Sequence, residues 1–339
     1  MYADRYRHLR PGVPELLRAG TLFSQGQKRS TRFAYADAML ELGEQIESVV
    51  MLNADVSKGM GTFTFAQRFP EREFNLGIAE QNMIAMAAGM AHAGLIPFVS
   101  TYAIFATLRG LDMIRNSVCY TRANVKIACS HAGITPAEDG ATHQGQEDLT
   151  IMRAMPYMAV IAPADELSTR RATHAAAAWS GPVYLSMTKE PMPFLYDESY
   201  PFQIGRAVTV RDGQDAAIIA NRDVVAQALL AAEMAAAEGL DVRVIDCHTL
   251  KPLDEQAILA AARETGAIVT AEDNVLVGGL GSAVAELLIE HEPVPMRRIG
   301  LGDTFAESGP YLALLERYGL SAGHILGAVR QVVARKGGA

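Results

Sequence analysis

The stretch NLGIAEQNMIAMAAGMAHAG, residues 75–94, followed directly by LIPFVS, sets the reading of this chain. Between Ile78 and Ala91 it is dominated by Ala, Met, Ile and Gly, which predicts a helix buried nearly all round. LIPFVS is a short apolar run of strand type. One residue breaks the pattern: Glu80 places a carboxylate in the first turn, followed by Gln81 and Asn82. Burying an unpaired charge is costly, so this acid needs a partner. A first-turn acid that complements the helix dipole is one explanation, and a bound group is the other.

The same alternation of helix and strand extends in both directions. RFAYADAMLELGEQI has helical period, with Thr31 as its N-cap, and SVVMLNAD reads as a buried strand ending in Asp55. Beyond LIPFVS come a helical segment over roughly 104–121, the strands NVKIACSH and MAVIAPA, a helix near 165–179 and the strand PVYLSM. Residues 189–204, KEPMPFLYDESYPFQI, are proline-rich and aperiodic and read as a linker. After it the alternation resumes with AAIIAN, an alanine-rich helix, VRVIDC, AIVTAE, a glycine-punctuated turn and helix, and MRRIG. The expected fold is therefore α/β, with two domains over 31–188 and 205–335, each a mostly parallel sheet with helices on both faces. Residues 1–30 are polar and irregular, an N-terminal extension lying over a surface.

Composition narrows the function classes. The chain has 339 residues, half of them apolar and a fifth charged, with a net charge of −8. That is ordinary globular composition, and it gives no support to a nucleic-acid or membrane-surface role. The N-terminus lacks the apolar core of a secretory signal, and no apolar run reaches the length of a membrane span. Cys119, Cys129 and Cys247 are isolated from one another, as reduced thiols of a cytoplasmic protein would be.

Ligands of open α/β sheets sit outside the carboxyl ends of the strands. Three places meet that rule in the first domain: Asp55, the run Ser100–Thr101–Tyr102, and the loop SHAGITPAEDGATHQGQED at 130–148. This loop carries two histidines, four acids and three glycines. His131 and His143 could ligate a metal in isolation, but the neighbouring acids meet no standard spacing, so no metal is expected on this chain. GGLGSAV at 278–284 lacks the G-x-G-x-x-G spacing and reads as a tight turn opening a helix. No P-loop occurs, and Met83, Met86 and Met90 form a stripe expected to pack in the core.

In this order, GIAEQNMIAMAAGMA, VSTYAIFATLRGLDMIRNS, HAGITPAEDGATHQGQEDLTIMRAMPYM, HTLKPLD and TAEDNVLVGGLGSAVAE closely resemble the transketolase family. From about Thr31 to near its end, the chain resembles the C-terminal subunit of a split transketolase, which carries only the pyrimidine-binding and C-terminal domains. The resemblance implies thiamine diphosphate as cofactor. Its diphosphate and Mg2+ would be held by an N-terminal partner subunit marked by GDG, a motif this chain lacks. It also implies a dimer of heterodimers and a carbohydrate substrate: a two-carbon ketol unit would pass from a ketose, as a sugar phosphate, to an aldose.

The resemblance assigns Glu80 to the glutamate that activates the cofactor's aminopyrimidine, a task suited to a carboxyl in a dry apolar pocket. Tyr102 and Phe105 match two aromatics that stack on the pyrimidine, with Leu108 at a third, and Asp55 matches a residue near the cofactor. His131, Asp139 and His143 match sugar-binding positions; His and Asp together supply the donors and acceptors that hydroxyls need. The two histidines are also implied as proton relays, and Arg32 matches an arginine on the sugar's anion. One departure stands out: Met187 replaces a second anion-binding arginine, and the nearest cation is Lys189, a point charge rather than a fork. The rival readings are a deoxyxylulose-phosphate-synthase-like enzyme, the beta subunit of a 2-oxoacid dehydrogenase, and a non-catalytic scaffold subunit.

Overall fold

The computed structural model describes residues 5–336. Its strands are β1 (Lys28–Ser30), β2 (Val49–Asn53), β3 (Glu73–Asn75), β4 (Ile96–Tyr102), β5 (Lys126–Ser130), β6 (Ala159–Ile161), β7 (Val183–Ser186), β8 (Pro191–Pro193), β9 (Val208–Arg211), β10 (Ala216–Ala220), β11 (Val242–Asp246), β12 (Thr249–Lys251), β13 (Ile268–Val275) and β14 (Met296–Leu301). A seven-stranded sheet runs β12-β6-β7-β5-β4-β2-β3 and a five-stranded sheet runs β14-β13-β10-β11-β9. All pairings in them are parallel except those of β12 and β9. The α/β expectation is borne out. The strand cores are apolar runs because helices cover both faces, leaving every residue of β2, β5, β7 and β10 buried.

The two sheets are not independent. β12 lies beyond the linker in sequence, yet it pairs antiparallel with β6 of the first sheet. One apolar cluster passes from Val99, Ile127 and Tyr184 through Leu250 to Ile219 and Ile245. On the other face of the first sheet, Tyr35, Met39, Phe98, Leu185 and Met187 form a second cluster.

Four local expectations change. The Glu80–His92 helix is not buried all round: Met83, Ile84, Ala87 and Ala88 are covered, whereas Gln81, Asn82 and Gly89 are exposed. Thr31 is not an N-cap. It is the first helical residue, and its hydroxyl meets Thr188 Oγ1 at 3.0 Å and accepts from Thr188 N at 2.8 Å, tying the helix to the end of the sheet. The N-terminal extension is more than a surface layer. It holds helices over Val13–Arg18 and Leu22–Gln25, and Leu9, Val13, Leu17 and Leu22 are buried in the core of the second domain.

The linker, too, is built in. β8 pairs antiparallel with β1, and the stacked, buried rings of Tyr196 and Tyr200 each donate a hydroxyl to Asp246 Oδ2 at 2.8 Å. Burial pushes Asp246 up to about 7, against those two hydrogen bonds. A proline-rich segment without periodicity can be fully ordered when its polar groups find fixed partners.

Asp165 joins these pieces. One carboxylate oxygen caps the Glu166–Ala178 helix through Ser168 N at 2.9 Å, and the other accepts from Leu195 N and Tyr196 N at 3.0 Å each. Asp165→Ala leaves three buried N–H groups without partners, so we expect a loss of about 2–4 kcal/mol in chemical denaturation followed by circular dichroism.

Candidate functional site

The site lies outside the carboxyl ends of the adjacent strands β4 and β5, as open sheets dictate. β4 ends in Tyr102, and the segment after it winds in π-helical turns over Phe105–Arg109 and Ile114–Cys119. β5 ends in Ser130 and releases the polar loop, which begins with His131 at φ 63° and ends at Asp148, the first residue of the next helix.

A continuous chain of contacts crosses this surface. Glu80 is only 4% exposed, and its Oε1 accepts from Arg109 Nη1 at 3.0 Å. The Arg109 guanidinium covers the Phe105 ring at 4.1 Å. Phe105 stacks on Tyr102 with centroids 5.5 Å apart, and Tyr102 stacks on His131 at 3.6 Å. His143 closes the group edge-on to Phe105 at 5.4 Å. The structure thus brings Glu80, Tyr102, Phe105, His131 and His143 onto one wall.

Arg109 is the member that sequence reasoning missed. The acid was expected in a dry, apolar pocket, but it is paired with this half-exposed guanidinium, because a carboxylate at 4% exposure needs a counter-charge. The signal was present in TLRG at 107–110, one residue past Leu108, the position where a third aromatic was sought. Leu108 itself lies 48% exposed.

His131 is held from three sides. Its ring lies on Tyr102, Nδ1 meets Ser130 Oγ at 2.7 Å, and Nε2 is 3.8 Å from Asp139 Oδ2. Burial, and then the positive charges of Arg32, Lys189 and His143, push it down to about 2, so the imidazole is neutral. A neutral imidazole offers one donor and one acceptor, the set a hydroxyl group needs.

Lys189 does not extend freely into the site. Its ammonium donates to Asp139 Oδ2 at 2.6 Å and to the Pro136 carbonyl at 3.0 Å, bracing the polar loop. Met187 is fully buried in the core cluster behind β5 and β7. Arg32 stands over Phe33 at 4.9 Å and close enough to Tyr102, Asp139 and Glu190 to feel their charges, and its buried Nε has no partner among the described residues. Burial lowers its guanidinium below the usual value, against those three groups. Asp55 is exposed just past the end of β2 with φ 63°, where its side chain meets Asn75 Nδ2 at 3.3 Å.

Beneath the wall lies a buried charge cluster whose sequence, NRD at 221–223, gave no functional signal. Arg222 is fully buried, 3.5 Å from Asp148 and 3.1 Å from Asp223 and within 3.8 Å of Asp273. The glycine-rich turn of the second domain is closed to phosphate. Glu272 accepts from Leu280 N and Gly281 N at 2.7 Å each, occupying the helix N-terminus where an anion would sit. GLSAG at 319–323 has the G-x-S-x-G form of a hydrolase turn, but it joins two helices instead of a strand and a helix. Among the described residues, no helix is long and apolar enough to cross a membrane.

Family comparison covers both halves of the chain. Residues 27–193 match the transketolase pyrimidine binding domain, and residues 205–325 match the transketolase C-terminal domain. A 6-deoxy-6-sulfo-D-fructose transketolase subunit from Clostridium sp. (strain MSTE9) is 42% identical over 305 residues, which is 90% of this chain and 95% of that protein. A putative transketolase C-terminal section from Methanocaldococcus jannaschii is 43% identical over 298 residues, 87% of this chain and 93% of that one. A solved split gene transketolase, described as an inactive beta4 tetramer, superimposes with a TM-score of 0.85 at 46% identity, covering 91% of this chain and 99% of its own.

The neutral state of His131 is directly measurable. Because its folded pKa lies below its unfolded one, its burial stabilises the fold fully above about pH 6.5, and that contribution is lost as the pH falls. We expect the His131 ring resonance, assigned with a His131→Gln variant, to hold its position in NMR from about pH 8 to about pH 5. A midpoint near 6.5 would show that the ring is open to solvent.

Proposed function

The chain belongs to the transketolase family, and from that premise we propose that it is the C-terminal half of a split, thiamine-diphosphate-dependent transketolase, acting in the cytoplasm. The observation that carries this reading is Glu80: a carboxylate 4% exposed at the foot of an apolar helix, beside stacked aromatics, on a helix with an open face. The three relatives compared above carry the names of a subunit, a C-terminal section and a split-gene chain, each is aligned over more than nine-tenths of its own length, and the solved one is described as an inactive beta4 tetramer. Three buried, unpaired thiols accord with a reducing compartment.

The residues present fit the pyrimidine half of the cofactor. Tyr102 and Phe105 offer a stacking surface, Glu80 offers the carboxyl, and the buried Thr101 hydroxyl has no partner among the described residues. Bound there, thiamine diphosphate supplies the electron sink for breaking the ketose carbon–carbon bond. Glu80 holds a proton at the ring nitrogen. His131 and His143 hold sugar hydroxyls, His131 as a neutral donor and acceptor and His143 as the ring that carries protons to and from them, and Asp139 accepts from a hydroxyl while braced by Lys189. Arg32 grips the distal anion; its buried Nε has no hydrogen-bond partner among the described residues. Asp55 flanks the cofactor from the end of β2. We assign Mg2+ and the diphosphate to the partner subunit, since GDG is missing here. The exposed face of the Glu80–His92 helix is the surface on which a dimer of heterodimers would close.

With Met187 sunk in the core and Lys189 committed to the loop, one guanidinium faces the distal end. We therefore read the substrate as a ketose with a compact terminal anion, either phosphate or sulfonate. In the complex reconstituted with its partner, Glu80→Ala should lower turnover by about 10²–10⁴-fold, and this chain alone should show none. Unchanged turnover in that variant would favour the scaffold. Arg32→Ala should raise KM by about 10–100-fold for the better donor of the pair D-fructose 6-phosphate and 6-deoxy-6-sulfo-D-fructose.

A further inference from the structure

We propose that the second domain positions the sugar-binding loop through Asp273, which is locked in place by Arg222. The inference rests on the sugar-ligand reading of His131 above. Asp273 lies in β13 of the second sheet and is fully buried. Both of its carboxylate oxygens accept from the backbone N–H of Ile134, at 3.0 and 2.9 Å. Ile134 closes the turn that starts at His131, whose φ is 63°, and passes through Gly133 at φ 59°. A Cβ on Gly133 would overlap the Asp273 carboxylate, so the acid is packed flush against the turn.

Arg222 then fixes both ends of the loop from one guanidinium. At the start, its Nη2 lies 3.8 Å from Asp273 Oδ2 and bonds the Asp273 carbonyl. At the finish, its Nη1 lies 3.5 Å from Asp148 and donates at 2.8 Å to Ser186 Oγ, which in turn donates to Asp148 at 2.6 Å. Asp223 accepts from Arg222 Nε at 3.1 Å and from the Tyr311 hydroxyl at 2.6 Å. Tyr311 belongs to the apolar cluster that supports Ile134 and Ala137 from below.

Apolar contact alone would hold the domains together at a lower desolvation cost than this charge cluster. What the carboxylate adds is direction: it fixes one amide, and hence the backbone that sets the His131 ring on Tyr102. A ligand displaced by about 1 Å can cost about a hundredfold in rate, so this placement falls within the range that decides turnover.

Asp273 is a positioning residue, and its removal should act on sugar handling without acting on the cofactor. In the reconstituted complex, with D-fructose 6-phosphate as donor, Asp273→Asn should lower kcat/KM by about 10–100-fold, mostly through KM. Thiamine diphosphate affinity by calorimetry should stay within about twofold of wild type, while amide exchange of residues 131–135 quickens. Arg222→Lys should retain more activity than Arg222→Met. Wild-type kinetics in Asp273→Asn beside a crippled His131→Ala would overturn the proposal alone; so would equal loss of cofactor and sugar binding. A His131→Ala variant that keeps the wild-type donor KM would overturn the sugar-ligand reading beneath it. If Asp273→Asn fails to fold, Arg222→Lys must give the same donor-selective loss at smaller size, and wild-type kinetics there would overturn the proposal.

Discussion

A carboxylate cannot be buried without company, and in this chain that constraint fixes the arrangement of one wall. Glu80 sits at the start of an apolar helix at 4% exposure, where an unpaired charge would cost several kcal/mol. Arg109 meets it at 3.0 Å, and the same guanidinium lies over Phe105. Phe105 stacks on Tyr102, which stacks on His131. Acid, aromatics and histidine are therefore one packed unit, and moving any member disturbs the next.

The second buried charge system works by a different logic. Around Arg222 three aspartates gather, and burial together with Asp223 drives Asp273 well above the usual carboxylate range, against the pull of Arg222. Such a cluster adds little net stability over well-packed hydrophobes. It adds geometry, because each oxygen has a specified donor: Ile134 N for Asp273, Ser186 and Tyr184 hydroxyls for Asp148, and the Tyr311 hydroxyl for Asp223. These donors come from both domains, so the relative placement of the domains and the shape of the 131–148 loop are set by the same atoms.

Much of this was legible in the sequence, for physical reasons. Strands covered on both faces must be apolar throughout, so SVVMLN, LIPFVS and NVKIAC announced themselves, and a polar loop with two histidines between strand and helix had no structural excuse. What stayed hidden was non-local. Asp273 bonds a residue 139 positions away, and β12 crosses the linker to join the first sheet. No local periodicity encodes such pairs. Arg109 stayed hidden because helical spacing points to Leu108 as the next wall position, whereas the π-helical winding leaves Leu108 exposed and lays Arg109 over the Phe105 ring. The N-terminal extension did carry a signal: Leu9, Val13, Leu17 and Leu22 recur at near-helical spacing, and all four are buried.

On the reading proposed above, the wall also explains why half of an enzyme would be a stable molecule without being a working one. A planar ring has two faces, and Tyr102 with Phe105 can cover only one of them. A reaction that cleaves carbon–carbon bonds through a stabilised carbanion must keep water away from both. In this chain the Glu80–His92 helix leaves Gln81, Asn82 and Gly89 bare beside half-buried Met86 and Met90. Meanwhile Arg109, half-exposed, neutralises the acid. A second chain closing on that face would exclude solvent, supply the missing wall and offer Glu80 a competing partner. By the reading proposed here, association is the step that converts a structurally satisfied carboxylate into a chemically available one.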